Sequence, residues 1–288
     1  MDAIIAAVWP DAQTLLTCAL VCSDWLPASR HQLFHRLVIS DPTGYDKLVT
    51  RVLHEPTLQP CLQSVRIVEI FELRPIDEYR YAPTPADEQL GRFFFHHFAG
   101  YLPNVVSLTM HCVDWAKCPP HPTAPAMFLL YPAIRELRLY DCSFPSFGTL
   151  RRMIASLPGL TDLNFLSVRF PHRSWAIPKV AYPQTRPKLQ KLTFGGTQEG
   201  DEVCVRGCLQ WLSVTPSASS IFFLHLTGAP PSLPHAMEMM AGMTHIFAAS
   251  VRSLTLDVML GVYQVPPCRC RCPLTSRRTV DRWLRFTI

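Results

Sequence analysis

A short segment in the middle of the chain reads Ile134-Arg135-Glu136-Leu137-Arg138-Leu139-Tyr140-Asp141-Cys142-Ser143-Phe144. Its apolar residues follow the spacing apolar-x-x-apolar-x-apolar, which places Leu137 and Leu139 on the same side of a β-strand. The spacing occurs six times, with first members at residues 105, 134, 160, 189, 221 and 251. The steps between them, 29, 26, 29, 32 and 30 residues, predict a repeated structural unit.

Each copy supplies three apolar residues, and together the copies are Val105, Leu108, Met110; Ile134, Leu137, Leu139; Leu160, Leu163, Phe165; Leu189, Leu192, Phe194; Ile221, Leu224, Leu226; and Val251, Leu254, Leu256. A weaker seventh copy is predicted at Leu62, Val65 and Ile67. One such triplet arises by chance in any apolar protein, but six at similar steps favour a repeat array over an ordinary parallel-sheet domain, which is the alternative.

Segments with helical periodicity lie between the copies. The clearest is Leu150, Met153, Ile154 and Leu157, which share one face of a helix. Similar stripes are Leu90, Phe93, Phe94, Phe98; Cys204, Cys208, Trp211, Leu212; Met240, Met243, Phe247; and Tyr45, Leu48, Val49, Val52. A strand and a helix of this size can bury their apolar sides only by stacking on neighbouring units.

The fold class expected from these patterns is therefore α/β. Residues 134–144 match the pattern L-x-x-L-x-L-x-x-N/C-x-L, and the chain resembles leucine-rich-repeat proteins over roughly residues 60–260. The resemblance implies a solenoid with parallel strands on its concave face and helices outside. The other copies depart from the pattern at the Asn/Cys position, where they carry Val113, Val168, Thr197, Ala229 and Met259. An irregular array is therefore expected.

Strand alternation predicts which side chains line the outer face of the sheet. If Leu137 and Leu139 point into the core, their neighbours along the strand point outward. The predicted target-binding surface consists of Glu136, Arg138, Tyr140, Asp162, Asn164, Lys191 and His225, and Ser107, Thr109 and His111 are equivalent to some of them. Mixed charge suits a protein partner, although a merely solvated sheet face is the alternative.

The N-terminal 39 residues carry a second pattern. Apolar residues fall into three short helical segments that are separated at Pro10-Asp11 and Leu26-Pro27. The run Leu15-Leu16-Thr17-Cys18-Ala19-Leu20-Val21-Cys22-Ser23-Asp24-Trp25, followed by Arg30, Leu33 and Phe34, resembles an F-box, particularly the form found in fungal proteins. That family's box opens with Leu-Pro-x-Glu, whereas this chain begins at Met1-Asp2-Ala3-Ile4, so the resemblance is to an N-terminally truncated F-box.

The resemblance implies a substrate receptor of a Skp/cullin/F-box ubiquitin ligase, in which the box binds the small Skp-type adaptor and the repeats hold a target protein. Catalysis then belongs to other subunits. The expected adaptor-binding residues are Ile4, Val8, Leu16, Leu20, Val21 and Trp25. The alternatives are that these helices only cap the first repeat, leaving an interaction protein without ligase partners, or that the chain is an enzyme of an unrecognised type.

Charge and cysteine content bear on nucleic-acid binding, on the cellular compartment and on bound metals or cofactors. The net charge of +5 is concentrated beyond Pro266, where six arginines accompany one aspartate, so the body is neutral and nucleic-acid binding is not expected. The 11 scattered cysteines, with no signal peptide, predict a reduced cytoplasmic or nuclear protein. The sequence proposes neither a metal nor a cofactor, because Cys268, Cys270 and Cys272 lack the spacing of a zinc site.

The expected organisation is an F-box-like helical segment at 1–40, a leucine-rich-repeat-like region at 41–262 and a basic, irregular tail at 263–288. We expect no membrane contact, since no apolar run approaches about 20 residues. Phosphate-binding and hydrolase motifs are not found in the sequence. The chain is expected to act as a monomer within a complex.

Overall fold

The computed structural model describes residues 2–72, 90–170, 187–195, 201–228, 247, 250–259 and 283–287. The helices within these residues are α1 (Asp2–Val8), α2 (Ala12–Val21), α3 (Leu26–Leu33), α4 (Pro42–Leu48), α5 (Leu90–His97), α6 (Ala124–Phe128), α7 (Phe147–Ala155), α8 (Asp201–Leu212) and α9 (Ser217–Ser220). A π-helical turn at Val49–Leu53 continues α4, and a 3-10 helix spans Gln59–Ser64.

The strands are β1 (Arg36–Ile39), β2 (Ile67–Phe71), β3 (Ser107–His111), β4 (Glu136–Tyr140), β5 (Asp162–Leu166), β6 (Lys191–Gly195), β7 (Phe223–Gly228), β8 (Ser253–Met259) and β9 (Trp283–Thr287). They form one sheet in which every strand lies beside the next one along the chain. The first eight strands are parallel, and β9 pairs antiparallel with β8. The α/β fold class is confirmed.

The register of the sheet follows the apolar triplets. Leu108 pairs with Leu137, and the same column continues through Leu163, Leu192, Leu224 and Leu254. These six residues are 0–5% exposed and belong to one continuous core. The six triplets therefore lie side by side in a single sheet, as their spacing predicts.

The seventh copy was predicted in the wrong register. Val68 pairs with Leu108 and Ile70 pairs with Met110, so the buried triplet is Val65, Val68 and Ile70. Ile67 instead pairs with Ser107, in the column of the outer face. Five of the seven residues 65–71 are apolar and they fall on both faces of the strand, so the local pattern fits two registers, and only pairing with β3 selects one.

The sheet also extends into segments that the sequence assigned differently. Strand β1 lies within the predicted helical segment 1–40, and its Leu37 and Ile39 pair with Val68 and Ile70. Strand β9 lies within the predicted irregular tail. Its sequence Trp283-Leu284-Arg285-Phe286-Thr287 is rich in residues that favour strands, a signal that the arginines of the tail obscured.

The connections repeat the same backbone hydrogen bonds. The residue just before one strand accepts two hydrogen bonds through its carbonyl oxygen. The donors are the N–H groups of two consecutive residues at the start of the neighbouring strand; for example, Val106, before β3, accepts from Arg135 and Glu136 at the start of β4. The equivalent carbonyls are those of His35, Arg66, Arg135, Thr161, Gln190 and Phe222. Just after a strand, Cys112, Asp141 and Ser167 each adopt a positive φ of 53–58°. Identical geometry at equivalent positions explains how unlike sequences keep one register.

The Asn/Cys position of the repeat pattern carries different side chains in different copies, so equivalent polar hydrogen bonds do not recur from strand to strand. The Cys142 thiol donates to the carbonyl oxygen of Met110 at 3.4 Å, whereas Val113 and Val168 are buried at equivalent positions without a polar atom to donate. Burial raises the pKa of Cys142 to about 12, so this thiol stays protonated. Thr197 and Ala229 lie outside the described residues, and Met259 is the last residue of β8.

The helices mostly match their predicted stripes. Leu150, Met153 and Ile154 are buried in α7, and Leu157 is buried just after it. Tyr45 is buried in α4, and Cys208, Trp211 and Leu212 are buried in α8; Phe247 is buried as well. Met240 and Met243 lie outside the described residues, as does the side chain of Cys204.

One helix faces the core differently from the prediction. In α5 the buried residues include Phe94 and Phe95, while the predicted Phe93 is half-buried and stacks on His97. The buried arc of α5 runs from Leu90 through Phe95 and continues to Phe98, and Phe93 lies outside it on the helical wheel.

Candidate protein-interaction surfaces

The three N-terminal helices form a small unit with its own core. Asp11 caps α2 by accepting hydrogen bonds from the N–H groups of Gln13 and Thr14 at 3.1 and 3.2 Å. The hydrogen bonds from Thr14 and Gln13 lower the pKa of Asp11. Pro27 occupies the first turn of α3, where its missing N–H costs no helical bond. The predicted helix breaks are confirmed, and each begins or caps a helix.

The core of this unit is formed by Ile5, Leu15 and Cys18, which are 0–9% exposed and separate from the main core. A core of three buried side chains is small. A segment of this size cannot bury enough apolar surface to be stable alone. The unit is attached to the sheet through α3, which contacts the 3-10 helix before β2. There the His31 Nδ1 and Ser64 Oγ atoms lie 2.8 Å apart.

A second contact joins α1 to the start of β1. The rings of Trp9 and His35 meet edge to face with centroids 5.1 Å apart. Among the described residues, the Nδ1 atom of His35 is buried and has no hydrogen-bond partner. Burial lowers the pKa of His35, and the nearby His31 and Arg66 lower it further. A neutral His35 therefore fits this junction best.

Four of the six predicted adaptor-binding residues are exposed apolar side chains. Leu20 is 86% exposed, Ile4 65%, Val21 61% and Leu16 50%. At 100° per residue, Leu20 lies opposite the side of α2 that buries Leu15 and Cys18, with Leu16 and Val21 on either side of it. We call Ile4, Leu16, Leu20 and Val21 the N-terminal patch.

The other two predicted residues lie elsewhere. Val8 and Trp25 are half-buried and pack against the Ile5–Leu15–Cys18 cluster. Their part in the N-terminal unit is to complete its small core. The sequence could not separate the two groups, because both consist of apolar residues on short helices with little periodicity.

The outer face of the sheet carries charged residues that are already paired with one another. Arg138 donates from Nε and Nη2 to the Glu136 Oε1 atom, at 2.8 and 2.6 Å. Ser107 Oγ donates to the other oxygen of Glu136 at 2.9 Å. The Lys191 Nζ atom lies 3.1 Å from the Asp162 Oδ1 atom. Four of the predicted target-binding residues therefore form two ion pairs.

A third ion pair involves residues that the sequence did not single out. Arg36 Nη2 lies 2.6 Å from Glu69 Oε2, joining β1 to β2. Asn164 pairs directly with Arg138 in the sheet, and its Oδ1 atom is buried without a hydrogen-bond partner among the described residues. His225 lies on the same face, with its ring 6.3 Å from that of Phe223.

Three aromatic rings stack along one edge of this face. The Phe71 and His111 ring centroids are 4.1 Å apart with an interplanar angle of 6°, and those of His111 and Tyr140 are 4.6 Å apart with an angle of 13°. Leu166 follows Tyr140 at the same register position. All four side chains are half-buried. We call Phe71, His111, Tyr140 and Leu166 the aromatic rib.

Burial lowers the pKa of His111, although the carboxylates of Glu69 and Asp141 oppose the shift. The ring is therefore neutral near pH 7. Of the rib, the sequence selected only Tyr140 and recognised His111 as an equivalent position. Phe71 was missed because its copy was placed in the wrong register, and Leu166 because a leucine at the end of a strand is not recognisable as a surface residue.

Glu72 is a half-buried glutamate that no sequence pattern singled out. Its Oε1 atom accepts a hydrogen bond from the Gly91 N–H at 2.9 Å, and Oε2 accepts one from Asp114 at 3.3 Å. Burial raises the pKa of Glu72, while these two hydrogen bonds lower it. A Cβ atom at position 91 would lie 2.9 Å from Oε1, so the Glu72 carboxylate would have to move to admit a side chain there. Glu72 thus ties the first turn of α5 to β2.

Within the described ranges, no group of three or more His, Cys, Asp or Glu side chains is arranged to hold a metal ion. Cys268, Cys270, Cys272 and five of the six arginines of the tail lie outside those ranges. Nor does any described helix have the length and apolar character needed to span a bilayer.

No known family model matches the sequence, and no curated protein matches it.

Proposed function

We propose that this chain is the substrate-recognition adaptor of a Skp/cullin/F-box-type ubiquitin ligase, built as a leucine-rich-repeat-like solenoid behind an F-box-like helical unit. In this proposal the N-terminal patch binds the Skp-type adaptor, and the outer face of the sheet binds the protein to be ubiquitinated. Other subunits carry the catalytic chemistry. The chain acts as a monomer within that complex.

The observation that carries the proposal is the N-terminal patch. Its four apolar side chains are 50–86% exposed on a unit whose own core is very small. Leu16, Leu20 and Val21 lie on the side of α2 away from the buried Leu15 and Cys18, and Ile4 lies on α1. Exposed apolar side chains that lie together often mark a protein-interaction surface. Burying four such side chains contributes at most about 6 to 12 kcal/mol before the costs of association. Association and ordering costs remove much of this gain, so each of the four side chains matters to the affinity.

The repeat architecture rests on the regular sheet. Eight parallel strands follow one another in chain order, and their triplets occupy the same register columns. Helices α5, α6 and α7 contact one another in sequence and share the core of the sheet. A stack of similar units that each cover the next is the arrangement expected of a solenoid.

A binding experiment with a purified Skp-type adaptor tests the proposal. The full chain is expected to bind the adaptor, and Leu20→Asp and Leu16→Asp are each expected to abolish binding, because a carboxylate would have to be buried in an apolar interface. Leu129→Asp is the matched control, since Leu129 is 52% exposed in the segment after α6 and Leu16 is 50% exposed. Circular dichroism confirms that all three variants fold. Binding by Leu20→Asp at wild-type affinity would contradict the proposal.

The second candidate is a repeat-based interaction protein without ligase partners. It is favoured by the contacts that hold the N-terminal unit against the sheet, namely α3 on the 3-10 helix and Trp9 on His35. In that case the helices serve mainly as a cap for the first strand. A full chain that binds a target but has no affinity for the adaptor would select this candidate.

A further inference from the structure

We propose that the outer face of the sheet takes a short, uncharged, apolar segment of its target, laid across the aromatic rib of Phe71, His111, Tyr140 and Leu166. This inference rests on the proposed role as a target-binding adaptor and names the class of target. It differs from the mixed-charge surface expected from the sequence, because the structure shows which of the outward side chains are already satisfied.

The rib supplies a row of three stacked rings and one leucine, and its length is defined by the sheet. Its four residues stand at matching register positions on β2, β3, β4 and β5. Three inter-strand spacings of about 4.8 Å give a length of about 14 Å, which four or five extended residues span. The stacked rings hold one another in place, so little side-chain freedom is lost when a partner packs against them.

The charges of the face argue for an uncharged occupant. Its three ion pairs, Arg36 with Glu69, Arg138 with Glu136 and Lys191 with Asp162, contain three cations and three anions. A charged target segment would have to compete with these existing partners and would gain little net attraction. An apolar segment leaves the three ion pairs intact and gains its binding free energy by packing on the aromatic rib.

The rib also offers polar atoms that suit a peptide backbone. The Tyr140 hydroxyl both donates and accepts hydrogen bonds, and a neutral His111 ring has one donor and one acceptor nitrogen. Amphipathic aromatic side chains of this kind are frequent anchors in protein interfaces. An extended segment could therefore satisfy its amides while its apolar side chains pack on the rib.

The test selects peptides from a phage-displayed library of random linear sequences on the immobilised full chain, without any Skp-type adaptor. The selected sequences are expected to be rich in aromatic and aliphatic residues and close to neutral. A synthetic peptide with the most enriched sequence is then titrated by fluorescence anisotropy. Its affinity should change little between about 0.05 and 0.5 M salt, because no exposed charge pair contributes to it.

Tyr140→Ala is expected to reduce the affinity for this peptide by about tenfold or more, which is the loss typical of an aromatic anchor. Leu166→Thr is a milder change, because threonine also favours a strand, and it should reduce the affinity for the peptide by a smaller factor. Tyr101→Ala is the matched control, because Tyr101 is a 40% exposed tyrosine just after α5 and outside the rib. Circular dichroism establishes that each variant is folded.

Selection of acidic or basic peptides, selection of no peptide, or an affinity that both rib variants leave unchanged would overturn the inference. The variant Leu20→Asp separates this outcome from that of the proposed adaptor contact. It should retain full peptide affinity while losing the Skp-type adaptor, so either claim can fail alone.

Discussion

The sheet and the N-terminal helical unit bury their apolar residues to very different degrees. The sheet shares one continuous core from Ile39 to Leu254, whereas the helical unit buries only Ile5, Leu15 and Cys18. The helical unit also leaves Leu20 86% exposed. Each strand inside the sheet is covered by neighbours on both sides, while a unit at the end of the sheet has a neighbour on one side only. Under the proposed function, this difference makes the N-terminal unit the part that gains most from a partner.

The largest expected effect separates the two cores directly. Leu139 is 0% exposed and pairs with Met110 and Phe165 in the sheet, so Leu139→Ala should reduce the free energy of unfolding by about 2 to 5 kcal/mol. Urea denaturation measures this loss over the whole chain.

Leu15→Ala, in the small core, should instead increase hydrogen exchange within residues 2–33 and leave exchange in β3 to β5 nearly unchanged. Equal destabilisation of the sheet by both variants would show that the helical unit and the sheet unfold together.

The next effect concerns the contact that fixes α5 to the sheet. Glu72→Ala leaves the N–H groups of Gly91 and Asp114 without their acceptor and should cost about 1 to 3 kcal/mol. Urea denaturation gives the magnitude, and Glu55→Ala, at an exposed glutamate, serves as the control. If Glu72→Ala and Glu55→Ala unfold at the same urea concentration, the contact does not stabilise the fold.

A smaller effect should appear as a dependence of stability on pH. The pKa of His111 in the fold lies below its ordinary value of 6.5, so the unfolded chain binds a proton at higher pH than the folded chain does. The stability that His111 contributes is therefore present above about pH 6.5 and is lost as the pH falls below it.

Urea midpoints measured between about pH 7.5 and 5 should decrease less steeply in His111→Gln than in the wild type. Above about pH 7 the two proteins should share the same slope, because His111 is neutral in both the folded and unfolded states there. An unchanged slope below pH 6.5 would contradict the assignment.

The smallest effect is expected at the edge of the sheet. Arg36 and Glu69 form a 2.6 Å ion pair, but the Arg36 side chain is 46% exposed, so Glu69→Gln should cost about 0 to 1 kcal/mol. The cost should disappear in high salt. A loss as large as that of Glu72→Ala would mean that the pair is far less screened than its exposure indicates.

The sequence was most informative where the signal was local. Six strands, their core residues and most helix faces could be predicted, because burial of one side of a strand imposes a fixed spacing on neighbouring residues. The same reasoning failed at residues 65–71, where apolar side chains occupy both faces, and at Phe93, where consecutive phenylalanines obscure the stripe. Of the candidate surfaces, the sequence identified the exposed residues of α2 but could not distinguish them from Trp25, which packs inward.

By itself the sequence determined the number and spacing of most strands, since each apolar triplet lies within six residues of the chain. The tertiary structure decided which side chains remain available to a partner. Arg36 meets Glu69, and Phe71, His111 and Tyr140 stack, only because parallel pairing brings together residues about 30 to 40 positions apart. Such contacts depend on the register between strands, which is set by the packing of the whole sheet and is not encoded in any single repeat.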